Sequence, residues 1–235
     1  MQIIIKKTTL VLGNPYITDG LVAQFDGIWN AELGRHDAEA TEWTNLVTGE
    51  QTISTAENSF SDDALSIQPI NNSINLNSPA AVNAISSGEF TIEVVGFIEA
   101  FTPTRFFWIA DAPQNSSASN ICLMTHSSSG LFILSRLGDV RNVVSHGTDT
   151  APCTGYGNII ASLGNQVQHN VSFYKDGVLN TRRKCTTALN PTNLFINVFA
   201  TGPVGKYHAL RIYNRPLSEA EITTNCEIDK ARFHF

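Results

Sequence analysis

Residues 90–98 read Phe90-Thr91-Ile92-Glu93-Val94-Val95-Gly96-Phe97-Ile98, and their alternation decides the fold class. Successive side chains on a strand point to opposite faces, so Phe90, Ile92 and Val94 share one face and Thr91, Glu93 and Val95 the other. The second face carries a valine among its polar residues, so both faces are expected to be covered in part.

Further short apolar runs flank this one: Leu21–Phe25, Leu65–Ile67, Phe106–Ile109, Ile121–Met124, Leu131–Leu134, Val143–Ser145, Val171–Tyr174, Leu194–Phe199 and Tyr207–Tyr213. Polar, glycine-rich breaks separate them, which is the pattern of an antiparallel sandwich or barrel. Lys175-Asp176-Gly177-Val178 is a hairpin signal, because an Asp-Gly pair accepts the left-handed backbone of a tight turn. One helix is expected, over about residues 219–229, with Ser218 as N-cap, Glu221 completing a capping box and Pro216 just ahead. Residues 1–18 form a separate N-terminal strand or arm, with Ile3-Ile4-Ile5 and Thr8–Leu12 closed by Gly13-Asn14-Pro15, and residues 19–235 form one domain without repeats or linkers.

Hydrophobic residues make up 42% of the 235 positions and charged residues 15%, enough apolar material for a core and too little charge for disorder. The net charge of −6, with basic residues scattered apart from Lys6-Lys7 and Arg182-Arg183-Lys184, argues against a nucleic-acid face. No apolar run approaches the ~20 residues that span a bilayer. The N-terminus places its lysines after the isoleucines, the reverse of a secretory signal peptide, so export by the usual route is not expected. Cys122, Cys153, Cys185 and Cys226 include no closely spaced pair of the kind structural zinc requires. Buried free thiols are expected ahead of bridges.

Two segments resemble one family. Gly20-Leu21-Val22-Ala23-Gln24-Phe25-Asp26-Gly27-Ile28-Trp29-Asn30, with Gly34-Arg35-His36-Asp37 and Ala40-Thr41-Glu42-Trp43-Thr44-Asn45-Leu46, is similar to the opening of laminin-G-like, concanavalin A-like jelly-roll domains of bacterial surface proteins and of phage or prophage structural proteins. Ala209–Ile222 resembles the last strand and helix of that family. The resemblance implies a two-sheet antiparallel jelly-roll sandwich with a short C-terminal helix. It also implies that Asp26, His36, Asp37 and Trp43 form a structural motif tying loops to backbone. A divalent-cation site or acid–base pair at Asp26, His36 and Asp37 is the competing reading.

Glycosidases work with two carboxylates flanking the sugar bond, and Glu89 and Glu93 are the nearest match, but Thr91 replaces the middle acid of the tight cluster seen in glucanases of this shape. The ordinary alternative is a hairpin-end Glu89 and a solvated Glu93. No Gly-x-Ser-x-Gly pattern and no phosphate-cradling glycine loop is present. Calcium is an open candidate, through loop carboxylates at Asp62, Asp63, Asp111, Asp139 and Asp149. Sugar binding calls for exposed aromatics and amides. Trp43 and Trp108 sit in apolar context, which leaves Trp29 and Tyr156 as the candidate ligand-binding residues.

The expected function is a non-catalytic structural or adhesive module, an oligomeric virion component such as a capsid decoration, fibre or tail protein that binds a neighbouring subunit or a surface glycan. A lectin domain of a bacterial surface complex and a glycoside hydrolase are the alternatives. The virion is the expected location, with the bacterial cell surface as the alternative.

Overall fold

The computed structural model describes residues 14–29, 40–53, 59–61, 63–67, 72–98, 106–111, 121–127, 131–137, 140–145, 157–163, 169–185, 189–198 and 205–234. In chain order the elements are β1 (Leu21–Asp26), β2 (Ser59–Phe60), β3 (Leu65–Ile67), β4 (Asn72–Asn75), α1 (Pro79–Ser87), β5 (Phe90–Ile98), β6 (Phe106–Ala110) and β7 (Ile121–Ser127). There follow β8 (Leu131–Leu137), β9 (Val140–Ser145), β10 (Gly157–Leu163), β11 (His169–Lys175), β12 (Val178–Cys185), β13 (Phe195–Val198), β14 (Gly205–Tyr213) and α2 (Glu219–Phe233).

The strands make two antiparallel sheets. One runs β12-β11-β10-β5-β14-β3-β2, with β1 paired to the later part of β14; the other runs β4-β13-β6-β7-β8-β9. The chain is therefore an all-β, two-sheet jelly-roll-like sandwich. The alternation in β5 does what its sequence implies: Phe90, Ile92 and Val94 join Phe25, Trp43, Tyr207, Leu210 and Ile212 against Ile74, Ile109 and Ile196 of the second sheet. The Asp-Gly hairpin also forms, with Asp176 at φ 51° and Gly177 at φ 80° between β11 and β12.

The outer face of β5 differs from its sequence reading. Thr91, Glu93 and Val95 are completely buried, because the Arg215–Leu217 segment bonds to Thr91 and α2 lies over Glu93 and Val95. That helix presents Ile222, Asn225, Cys226, Asp229 and Phe233 as a buried stripe at helical spacing. Glu93 is thus not a solvated strand-face carboxylate. The capping box at Ser218 and Glu221 is formed, and α2 continues to Phe233, four residues beyond the expected end at 229, before His234 closes it in the left-handed region at φ 61°.

A second helix, α1, was not expected. The Ser78 hydroxyl accepts a hydrogen bond from the Ala81 N–H, Pro79 opens the first turn, and Gly88 ends the helix at φ 85°. Nine residues are too few for a stable isolated helix. The burial of Ala81, Ala84 and Ile85 holds it in place where the chain crosses from β4 of one sheet to β5 of the other.

The strand expected within residues 3–12 lies outside the described residues. Tyr16 and Ile17, assigned to the arm, are built into the body: the Tyr16 hydroxyl donates to Asp229 at 2.7 Å and the Ile17 N–H to Asn225 Oδ1 at 3.1 Å. Among the described residues no helix is long and apolar enough to cross a membrane.

Candidate functional site

A cleft of about 150 Å³ opens beside β4, lined by Asn75, Asn77, Ser78, Pro79, Val82, Asn83, Thr192, Asn193 and Leu194. Its floor follows from strand pairing. Asn75 pairs with Phe195 of β13 on one side and with Ile53 on the other, where two reciprocal backbone bonds of 2.8 Å join Ile53 and Asn75. Ile74 and Ile196 point into the core. Alternation therefore turns Asn75 and Phe195 outward, with Ile53 in the same row. Ile53 is 56% exposed and Phe195 is half-buried.

The wall is shaped by asparagine chemistry. Asn75 Oδ1 accepts the Asn77 N–H at 2.8 Å, and Asn77 takes φ 49°, a left-handed conformation that asparagine tolerates. Asn77 then donates its amide to the Gln51 carbonyl at 3.1 Å, and the chain enters α1 at Ser78. Asn75 Nδ2 donates to Asn193 Oδ1 at 3.3 Å across the cleft, so one amide face spans both walls. Asn193 Nδ2, Asn77 Oδ1, the Asn83 amide and the Thr192 hydroxyl have no further partner among the described residues. None of the nine lining residues is charged or titratable. These described residues can donate and accept hydrogen bonds, and none of them carries a side chain able to shuttle a proton near neutral pH.

The expected motif residues lie elsewhere. Asp26 is fully buried, and its Oδ1 accepts the backbone N–H groups of Ile28 and Trp29 at 2.9 and 3.0 Å while Arg232 pairs with both carboxylate oxygens. Trp43 is buried against Phe25 and Tyr207, and its indole N–H donates to the Asp26 carbonyl at 3.0 Å. Trp29 is half-buried beside α2, with the Arg232 guanidinium 4.3 Å from the centre of its ring, so one ring face is already taken. His36, Asp37 and Tyr156 lie outside the described residues, as does the side chain of Trp108.

Glu93 belongs to a buried charge network under α2. Arg211 Nε donates to Glu93 at 2.6 Å, its terminal nitrogens donate to both oxygens of Asp229, and Asn225 Nδ2 lies 3.1 and 3.0 Å from the two Glu93 oxygens. Desolvation raises the Glu93 pKa against the pull of Arg211. Both oxygens are occupied and neither reaches solvent, so Glu93 cannot meet a substrate in this fold. Glu89 precedes β5, is exposed, and shares no bond with it.

Among the described residues no three His, Cys, Asp or Glu side chains converge as metal ligands. Asp63 faces His208, whose Nδ1 lies 3.0 Å from the Asp63 carbonyl oxygen. Asp62, Asp139 and Asp149 lie outside the described residues. Cys226 is a buried free thiol whose pKa burial pushes up to about 11.

The cleft was not picked out from sequence, although a signal was there. Residues 71–79 read Asn71-Asn72-Ser73-Ile74-Asn75-Leu76-Asn77-Ser78-Pro79, amides alternating with buried aliphatics and then a Ser-Pro helix start. What the sequence could not supply was the neighbour, Asn193, brought in from 118 residues away.

No family model and no curated protein matches the sequence. Solved structures do resemble the fold. Trypanosoma rangeli sialidase aligns with TM-score 0.62 at 15% identity over 88% of this chain and 32% of the sialidase. The receptor binding domain of botulinum neurotoxin C/D mosaic serotype aligns with TM-score 0.68 at 9% identity over 90% of this chain and 52% of that one. The serotype D binding domain gives TM-score 0.64 at 10% identity, with 89% and 52% covered. This chain therefore spans about a third of the sialidase and about half of the toxin domains. At these identities the likeness is one of fold.

Proposed function

We propose that this protein is a non-catalytic carbohydrate-recognition module and that the asparagine-lined cleft beside β4 is its binding site. The observation that carries the reading is the cleft's chemistry: amides and hydroxyls from two walls, with bonding capacity to spare and no titratable group among its lining residues. Sugar hydroxyls both donate and accept, and a set of uncharged amides satisfies them without a charged group to desolvate. Neighbours in fold include a receptor binding domain and a sialidase, which is in keeping with recognition of a glycan-bearing surface.

Within this reading the module serves a larger assembly on a virion, a placement that rests on the family resemblance of residues 20–46 and 209–222. Oligomerisation through the N-terminal strand belongs to the same proposal. Removal of residues 1–13 spares Tyr16 and Ile17 and should leave a folded chain of lower mass by light scattering; an unchanged assembly would remove the arm from the account. Calcium is proposed only as an aid to loops outside the described residues.

The test is an array of oligosaccharides probed with the full chain, with and without calcium. Binding to a subset, reduced at least tenfold in Asn193→Ala, is expected, with the bound sugars recovered intact. Absence of binding across the array would overturn recognition. Cleavage of a bound glycan would overturn the non-catalytic assignment.

A further inference from the structure

We infer that the cleft selects neutral saccharides, its asparagine amides bonding the sugar's hydroxyls while an apolar C–H face rests on Ile53 and Phe195, which flank Asn75 just outside the cleft's lining. This inference rests on the carbohydrate reading above and adds the class of sugar.

Three observations carry it. First, the described residues that line the cleft include no cation. An anionic sugar would bring a carboxylate or sulfate against amide groups with no counter-charge, in a protein whose net charge is −6. Second, the arginines whose side chains are described are committed elsewhere: Arg182 faces Glu219, Arg211 faces Glu93 and Asp229, Arg215 faces Asp19 and Glu221, and Arg232 faces Asp26. None of these residues lines the cleft.

Third, the outer row is amphipathic in the way a pyranose is. Ile53, Asn75 and Phe195 are cross-strand neighbours on one face, an exposed aliphatic and a half-buried ring flanking an amide. Directly paired residues on neighbouring strands bring their Cβ atoms within about 4.5–5.5 Å. A hexose has apolar C–H patches bordered by equatorial hydroxyls, and aromatic or aliphatic side chains beside polar groups are the usual complement to such a ligand. Isolated exposed isoleucines are common on protein surfaces; this one is hydrogen-bonded through its backbone to a residue that lines the cleft.

The experiment measures binding of the full chain to oligosaccharides ending in neutral hexose or N-acetylhexosamine, and to the same oligosaccharides capped with sialic acid, uronic acid or sulfate. Neutral forms should bind, and each acidic cap should weaken binding at least tenfold. Ile53→Ser, at an exposed position that leaves the core untouched, should weaken neutral binding by a similar factor while circular dichroism stays unchanged. Binding confined to the acidic forms would overturn the inference and leave carbohydrate recognition standing. So would neutral binding that Ile53→Ser does not alter. If neither class binds, both readings fall.

Discussion

Arg211 shows how far a single residue's role depends on partners remote in sequence. It is completely buried, holds Glu93 and Asp229 in ion pairs, and lies with its guanidinium 3.9 Å from the Tyr16 ring centre. Burial drives the pKa of Tyr16 upward, so its hydroxyl stays protonated as the donor to Asp229. Arg211→Met would leave two carboxylates buried without their cation. Removing one partner of a buried pair costs about 3–5 kcal/mol, so urea denaturation should show a loss of that size. Gly27 and Gly49 make a second contrast. A Cβ on Gly27 would lie 2.3 Å from the Asp63 carbonyl oxygen and 2.6 Å from the Ala64 Cα, whereas one on Gly49, at φ 77°, meets nothing within 4 Å. Gly49→Ala should lower stability only by left-handed strain, about 1–2 kcal/mol. Gly27→Ala must displace backbone and should lower the Tm further than Gly49→Ala does. The polarity of Glu93 was legible in sequence; its cation, 118 positions away, was not.

At the scale of elements, α2 was legible because capping is local: Ser218 and Glu221 bond reciprocally within one turn. Its full length was not, because Asp229 and Phe233 are held by tertiary partners, Arg211 and the Val95–Ala209 patch. α1 carried an equally local signal in Ser78-Pro79, but its short length makes it depend on the core beneath it. Hydrogen bonds from Arg215 and from Ser218 hold the Glu221 carboxyl down to about 2, below its unfolded value of 4.5. A depressed carboxylate pKa contributes stability that is present above the unfolded value and lost as pH falls through the folded one. Glu221→Gln should therefore flatten the part of the stability profile between about pH 4.5 and 2 that α2 contributes. Thermal melts across that range would read it, and an unchanged slope would separate the capping box from acid sensitivity. Glu93 acts in the opposite sense: its raised pKa favours the protonated form in the fold, so its contribution declines as pH rises above its unfolded value.

Across the whole molecule, the two sheets divide the work. On the larger sheet α2 and its charge network cover β5 and β14, while the edge of the smaller sheet carries the cleft. The sandwich could be read from short apolar runs because each strand's alternation is a local property. The candidate site could not, because it assembles from the end of β4, the start of α1 and the Asn193 turn, with Ile53 paired alongside, segments whose meeting only the topology determines. An aromatic platform at Trp29 was the natural expectation for a sugar site. One face of that ring stacks against Arg232, and the amide cleft lies elsewhere. The most direct measurement is two-dimensional NMR of the isotope-labelled chain, titrated with a neutral oligosaccharide that binds on the array. The side-chain amides of Asn75, Asn77, Asn83 and Asn193 and the methyl groups of Ile53 should shift together while the sugar stays intact; shifts centred on Trp29 and Arg232, with the cleft unmoved, would contradict the account.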